Sequence, residues 1–233
     1  MAASLVEETF VRVVEIESSK SELKIHQSYI GDVGCVVWDA ALVLSKYIDF
    51  VHSVECVKTD DCDGGLVAYA SQLIKNIHSA RAIELGAGTG AVGLLAASLG
   101  CQTTLTDLAS LMPLLTKNIE ENNLQEKASA AVLDWDDHAD ASLPQPDLLL
   151  VADCVYYVEA LLPLLDTISA LAGPKTAVLI SYEDRESEVK QVLQKKFSEV
   201  LRKQFDVEEV PTQKMHPDYM ADDIHILVAR KKQ

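Results

Sequence analysis

Basic residues are scarce in this chain: 20 Lys and Arg stand against 36 Asp and Glu, a formal net charge of −16. Nucleic-acid affinity depends on lysines and arginines that neutralise phosphates, so a phosphate backbone is a poor partner. Cysteine is sparse too. The five (Cys35, Cys56, Cys62, Cys101 and Cys154) are odd in number and form no C-x-x-C pair. That argues against a disulfide framework and against a metal site, and for a reducing compartment. No apolar run is long enough to span a bilayer, and the first eight residues form neither a basic nor an apolar leader. The expected setting is therefore the cytoplasm, away from membranes. Asp60-Asp61-Cys62-Asp63-Gly64-Gly65 is acidic but lacks the ligand spacing of a calcium loop, which suits a solvated surface loop. No repeat and no linker divides the 233 residues, a length that suits one α/β domain with additions.

What is present concentrates in one stretch. Ala82-Ile83-Glu84-Leu85 is an apolar run carrying an acid, Gly86, Gly88 and Gly90 alternate after it, and Ala91-Val92-Gly93-Leu94-Leu95 continues in small and apolar residues. This reads as strand, tight turn, helix. Glycines let the backbone turn sharply and approach a ligand where a Cβ would collide, and the N–H groups at the helix start can donate. Two patterns overlap. Residues 88–93 fit the G-x-G-x-x-G of dinucleotide enzymes, and residues 84–90 fit the E/D-x-G-x-G-x-G of S-adenosylmethionine enzymes. The acid inside the strand and the glycines alternating from its end favour the second. The next strand, Gln102-Thr103-Thr104-Leu105-Thr106-Asp107, ends in an acid placed to take both hydroxyls of a ribose.

Around this stretch the chain alternates. Residues 9–16 and 22–29 form a β-hairpin within an N-terminal extension of residues 1–35, and helices are expected over 38–48 and 66–77. The nucleotide-binding core spans 80–233, with helix 111–122, strand 128–135, the apolar strand 147–153, helix 159–171, strand 176–182, helix 186–204 and strands 205–210 and 225–230. Right-handed connections then give a doubly wound sheet whose last two strands pair antiparallel. That ending departs from the dinucleotide fold. It matches a Rossmann-like, seven-stranded class I methyltransferase fold: a mostly parallel sheet with an antiparallel last strand, plus the N-terminal hairpin.

Ligands of open α/β sheets bind at the carboxyl ends of the strands, near the switch point. Four groups fall there: Gly86-Ala87-Gly88, Asp107, Asp134-Trp135 and Asp153-Cys154-Val155-Tyr156. A tryptophan beside an acid suits an adenine, the ring stacking and the acid or a nearby backbone group meeting the exocyclic amine. Asp153 lies between an apolar strand and two tyrosines, with a helix N-cap as its competing role. Methyl transfer to lysine needs a neutral amine, and at an unperturbed pKa of about 10.4 that costs roughly 4–5 kcal/mol at pH 7. Aromatic walls such as Tyr156 desolvate the ammonium, and Asp153 can orient the amine for in-line attack on a sulfonium methyl. Composition alone makes Trp38 a buried anchor of the first helix.

Gly34-Cys35-Val36-Val37-Trp38-Asp39-Ala40-Ala41, the glycine stretch from Glu84 to Leu94, Thr106-Asp107-Leu108, Ala152-Asp153-Cys154-Val155-Tyr156-Tyr157 and Asp223-Ile224-His225-Ile226 together resemble the methyltransferase-like 21 group of protein-lysine methyltransferases. The likeness runs from Phe10 to Lys232. It implies S-adenosylmethionine as cofactor, contacted by Trp38, Gly86, Ala87, Gly88, Asp107, Trp135 and the Ala152 backbone, beside the motif acids Glu84 and Asp134. It places Asp153 and Tyr156 toward the target lysine. It further implies a protein substrate, the AAA ATPase valosin-containing protein, and the expected enzyme is a monomer. A binding module without turnover, a nicotinamide enzyme, and a methyltransferase of another protein or a small amine are the competing functions. The acidic segment 54–65 differs from the group and bears on the substrate side.

Overall fold

A computed structural model describes residues 8–31, 33–54, 65–137 and 143–232. The chain opens with strands β1 (Thr9–Ile16) and β2 (Ser21–Ser28), an antiparallel hairpin in a sheet of its own. Alternation decides its faces: Val14, Ile16, Leu23 and Ile25 are buried, while Val11 and Val13 stay exposed. Helix α1 (Asp39–Ser53) anchors the hairpin turn. Asp49, 1% exposed, accepts the Glu17 N–H at 2.7 Å and the Ser18 N–H at 3.3 Å, and Lys46 Nζ donates to the Glu15 carbonyl at 2.8 Å. These bonds satisfy two charged side chains that would otherwise be costly to bury.

Helix α2 (Leu66–Lys75) leads to β3 (Arg81–Leu85), α3 (Ala91–Ser98), β4 (Gln102–Asp107), α4 (Met112–Glu121), β5 (Ala128–Val132) and β6 (Leu148–Ala152). Then come α5 (Leu161–Leu171), β7 (Ala177–Glu183), α6 (Glu188–Gln204), β8 (Phe205–Glu209) and β9 (Ile224–Lys231). The seven core strands run β5-β4-β3-β6-β7-β9-β8, and only β9 is antiparallel to its neighbours. The last two strands pair antiparallel as their short connection requires, and β9 inserts between β7 and β8. Strand order reverses between β3 and β6, so their carboxyl ends border the crevice where ligands of such sheets bind.

Both faces of the sheet are covered, which is why β6 is apolar at every position. Leu148 and Leu150 of β6 join the core under α1 to α4 and the hairpin, whereas Leu149 and Val151 join the core under α5 and α6. Each fully buried side chain of this kind contributes about 1.5–3 kcal/mol relative to exposure.

Several boundaries move from their sequence positions. Strand β5 stops at Val132 rather than 135, because Asp134 Oδ1 accepts the Asp136 N–H at 3.1 Å and turns the chain into the 3-10 segment Trp135–Asp137. Helices α5 and α6 each begin two residues later than expected. Cys35, Cys101 and Cys154 are buried and form no disulfide among the described residues, while Cys56, Cys62 and nearly all of the acidic segment lie outside them. Among the described residues no helix is long and apolar enough to cross a membrane, and no cluster of His, Cys, Asp and Glu could hold a metal.

Candidate active site

The turn after β3 is built from left-handed glycines. Gly86, Gly88 and Gly90 have φ of 57°, 55° and 81°. Space forbids a side chain as well: a Cβ on Gly86 would lie 2.8 Å from Cys154 Sγ and 3.0 Å from the Trp135 ring. Behind the turn, Glu84 is 3% exposed and accepts the Gly93 N–H at 2.9 Å. Burial pushes its carboxyl up to about 8, against the pull of the Gly93 bond. Gly93 sits on α3, where a Cβ would stand 2.1 Å from Leu105 Cδ2. The third glycine of the dinucleotide pattern is thus a helix-packing residue, and the turn takes its register from Gly86.

Asp107 closes β4 with both carboxylate oxygens engaged. Oδ2 accepts the Gly88 N–H and Oδ1 the Leu108 N–H, each at 2.7 Å. Backbone groups therefore set its orientation before any ligand arrives. Trp135 is half-buried and Asp134 exposed. Trp38 does not anchor the first helix as composition suggested. It is 39% exposed and sits just before α1, its indole N–H bonded to the Val33 carbonyl at 2.9 Å. That bond turns the ring over the crevice.

Asp153 follows β6 with φ of 53°, a left-handed conformation unusual outside glycine, and its N–H is tied to the Ser181 carbonyl at 2.8 Å. It caps no helix, since Ala160 occupies the N-cap of α5. Its Oδ2 instead accepts Arg185 Nη2 at 2.5 Å. Arg185 Nη1 also meets Glu183 Oε2 at 2.9 Å, and the guanidinium carbon stands 5.5 Å from the centroid of the Trp38 ring. The Tyr156 and Tyr157 rings are tilted together with centroids 4.5 Å apart. Burial, with Asp107, Asp153 and Glu84 nearby, pushes the Cys154 thiol well up, so this cysteine is no nucleophile.

All eleven residues singled out from the sequence line one cavity of about 360 Å³: Trp38, Glu84, Gly86, Ala87, Gly88, Asp107, Asp134, Trp135, Ala152, Asp153 and Tyr156. The volume lies within the roughly 300–1,000 Å³ of ligand pockets. Sequence reasoning missed Arg185, Lys190, Leu108 and Gly34, which line it too. The rule that found Asp153 would have found Arg185, because it follows the neighbouring strand β7 at the same sheet edge.

The lining suits a cationic nucleoside. Asp107, Asp134, Asp136 and Asp153 outnumber Arg185 and Lys190, favouring a sulfonium. The fixed carboxylate of Asp107 matches a ribose diol, and the rings of Trp38 and Trp135 offer apolar faces. A parallel sheet with one antiparallel strand beside its edge, a glycine turn after the first core strand and an acid after the second define a class I S-adenosylmethionine-dependent methyltransferase.

The fold is shared with a TehB-like SAM-dependent methyltransferase from Corynebacterium glutamicum, at a TM-score of 0.53 and 21% identity over 69% of this chain and 86% of that one. The lysine methyltransferase family model matches residues 17–204. Protein N-lysine methyltransferase METTL21A of Mus musculus is 32% identical over 204 residues, 86% of this chain and 78% of that protein. EEF1A lysine methyltransferase 3 of Xenopus tropicalis is 31% identical over 186 residues, 78% of this chain and 73% of that protein. The chain belongs to the lysine methyltransferase family, and its cofactor is S-adenosylmethionine.

Proposed function

We propose that this enzyme methylates the side-chain amine of a lysine in valosin-containing protein, working as a monomeric single domain in the cytoplasm. One observation carries the reading: a single cavity is lined both by the glycine turn and Asp107 and by Asp153 and Tyr156. Val37-Trp38-Asp39-Ala40 and the D-x-x-Y of Asp153 to Tyr156 mark the methyltransferase-like 21 group, and the assignment of the acceptor protein rests on the likeness of the motifs taken together to the member acting on that ATPase.

In this reading Gly86, Ala87 and Gly88 bring backbone close to the cofactor, with Glu84 bracing their turn. Asp107 takes the ribose hydroxyls, Trp135 with Asp134 the adenine, and Trp38 and the Ala152 backbone the methionine end. When bound, S-adenosylmethionine supplies the sulfonium methyl. Asp153 accepts an N–H of the acceptor amine and aims its lone pair, and Tyr156 strips water from it. No covalent enzyme intermediate is required.

Titration calorimetry of S-adenosylhomocysteine and NADH into wild type and Asp107→Ala tests the cofactor assignments. Labelled-methyl transfer to valosin-containing protein, with EEF1A as the comparison acceptor, tests the substrate. Expected are S-adenosylhomocysteine binding that the substitution abolishes, no NADH binding, and label on a lysine that disappears in Asp153→Ala. Label on EEF1A alone moves the substrate assignment, and binding without transfer to either protein keeps the fold and site but moves the assignment to another protein or to a module that holds its partner.

A further inference from the structure

Arg185 brings a permanent positive charge to the acceptor end of the cavity, where an incoming lysine is also a cation. Its side chain is 20% exposed and is held from three sides: by Asp153 after β6, by Glu183 at the end of β7, and by the Trp38 ring ahead of α1. It occupies Oδ2 of Asp153, and Oδ1 carries no hydrogen bond among the described residues. Cys154, Tyr156 and Tyr157 flank Asp153 on its own segment, and Lys190 enters from the first turn of α6. Asp184 is turned away to His225 of β9, which also binds Glu209 of β8. Asp107, Asp134, Asp136 and Glu84 line the same cavity. Among the described residues, Arg185 is the one cation bonded to Asp153.

A solitary carboxylate would work against methyl transfer. An opposite charge in contact favours the charged form of an amine, by about 1–3 pKa units for close pairs, whereas attack needs the amine neutral. A guanidinium bonded to that carboxylate offsets its charge and sets a like charge against the ammonium, and Oδ1 can still accept an N–H from the neutral amine. Arginine suits the task because it stays protonated at every working pH.

We infer that Arg185 keeps the acceptor amine neutral, acting through Asp153 as a positioning residue. The proton leaves the ammonium for water, the nitrogen keeps its lone pair, and Asp153 Oδ1 holds the free base. This rests on the assignment of Asp153 to the acceptor lysine.

The test uses wild type, Arg185→Gln, Arg185→Lys and Lys190→Gln, each saturated with S-adenosylhomocysteine and titrated with n-butylamine by NMR over about pH 6 to 10. Arg185→Gln is expected to bind butylammonium about tenfold tighter near neutral pH and to raise the bound amine's pKa by about one unit, the equivalent change. Arg185→Lys should stay near wild type, and Lys190→Gln, which removes the other cation lining the cavity without touching Asp153, should shift both quantities less than Arg185→Gln does. With valosin-containing protein as acceptor, the acidic limb of kcat, which reports the bound amine, should move up by the same amount in Arg185→Gln, so that its deficit vanishes at high pH. An unmoved amine pKa in an Arg185→Gln protein that still binds S-adenosylhomocysteine overturns the inference, as does a rate deficit constant across pH. Butylamine that binds neither wild type nor variant overturns it too. If wild type leaves valosin-containing protein unlabelled, that substrate assignment fails, and the butylamine titration decides the inference alone.

Discussion

Gly34 and Gly88 meet backbone to backbone: a Cβ on Gly88 would stand 2.5 Å from the Gly34 carbonyl oxygen. The segment that carries Trp38 is therefore seated directly on the glycine turn. Gly88→Ala adds a left-handed φ, which costs a side-chain-bearing residue about 1–2 kcal/mol, and it pushes the Gly34 segment off the turn. Calorimetry should show S-adenosylhomocysteine affinity reduced by about tenfold or more, with a smaller loss of stability. Gly34→Ala is the contrast. Its Cβ would lie 3.4 Å from Gly88 Cα, so affinity should change by no more than about threefold. Equal losses in the two variants would show that crowding at residue 88 does not control the site.

Asn118 fastens the hairpin to the same turn. Fully buried, it accepts the His26 N–H at 2.7 Å and donates to the carbonyls of His26 at 3.0 Å and Thr89 at 2.9 Å. One helical turn later, Asn122 repeats the pattern on Lys24 with bonds of 2.8 and 2.9 Å. The spacing of four from Asn118 on α4 to its C-cap Asn122 thus matches the spacing of two on β2, and two side chains cover an edge strand. Asn118→Ala strands buried groups on both elements and should cost about 3 kcal/mol or more by urea unfolding. Asn122→Ala, at a more exposed site, should cost about 1 kcal/mol. Only the Asn118 change should also weaken S-adenosylhomocysteine binding, and an unaltered affinity would detach the hairpin from the site.

Much of this was legible because the marks are local. Alternating glycines announce positive φ, an unbroken apolar run announces a strand buried on both faces, and the sheet-edge rule puts Asp107, Trp135 and Asp153 together. The rest depends on partners far away in sequence. Asn118 looks like an ordinary polar helix residue until β2, 92 residues earlier, is laid beside it. Trp38 has the composition of a core residue, and only its bond to Val33 shows which way the ring points. Arg185 sits in the charged run Glu183 to Glu188, which reads locally as a solvated loop, and only its place after β7, the neighbour of β6, brings it to the same sheet edge as Asp153.

His225 makes the β7 end of the site sensitive to pH. Its Nδ1 meets Glu209 at 2.7 Å and its Nε2 meets Asp184 at 3.1 Å, a geometry that uses both ring N–H groups only when the ring is protonated. Burial lowers its pKa, but the two carboxylates outweigh that and raise it above 6.5. Stability from this group is therefore complete below 6.5 and is lost as pH rises through the folded value. His225→Gln should be less stable than wild type by about 0.5–1 kcal/mol near pH 6, allowing for screening, and equal to it near pH 9. Urea unfolding at the two pH values decides it, and a gap that persists at the higher one would assign the loss to packing on Tyr182.

Glu84 carries the largest pH effect of the turn. Its carboxyl moves from 4.5 to about 8 on folding, chiefly by desolvation, so between those values the folded state keeps a proton that the unfolded state has released. Its contribution is whole below 4.5, falls through that window and is gone above about 8. Glu84→Gln preserves the neutral shape and an oxygen for the Gly93 N–H. It should match wild type near pH 4 and exceed it by roughly 2–4 kcal/mol near pH 9 in urea unfolding. Parallel pH profiles would show that Glu84 is ionised in the folded protein. The same variant bears on the cofactor. If a neutral Glu84 only braces the turn, Glu84→Gln should keep S-adenosylhomocysteine affinity within about threefold at pH 7, while Glu84→Ala, which strands the Gly93 N–H and leaves a void under the turn, should lose about tenfold or more. A large loss in Glu84→Gln would instead mean that its charge acts on the ligand directly.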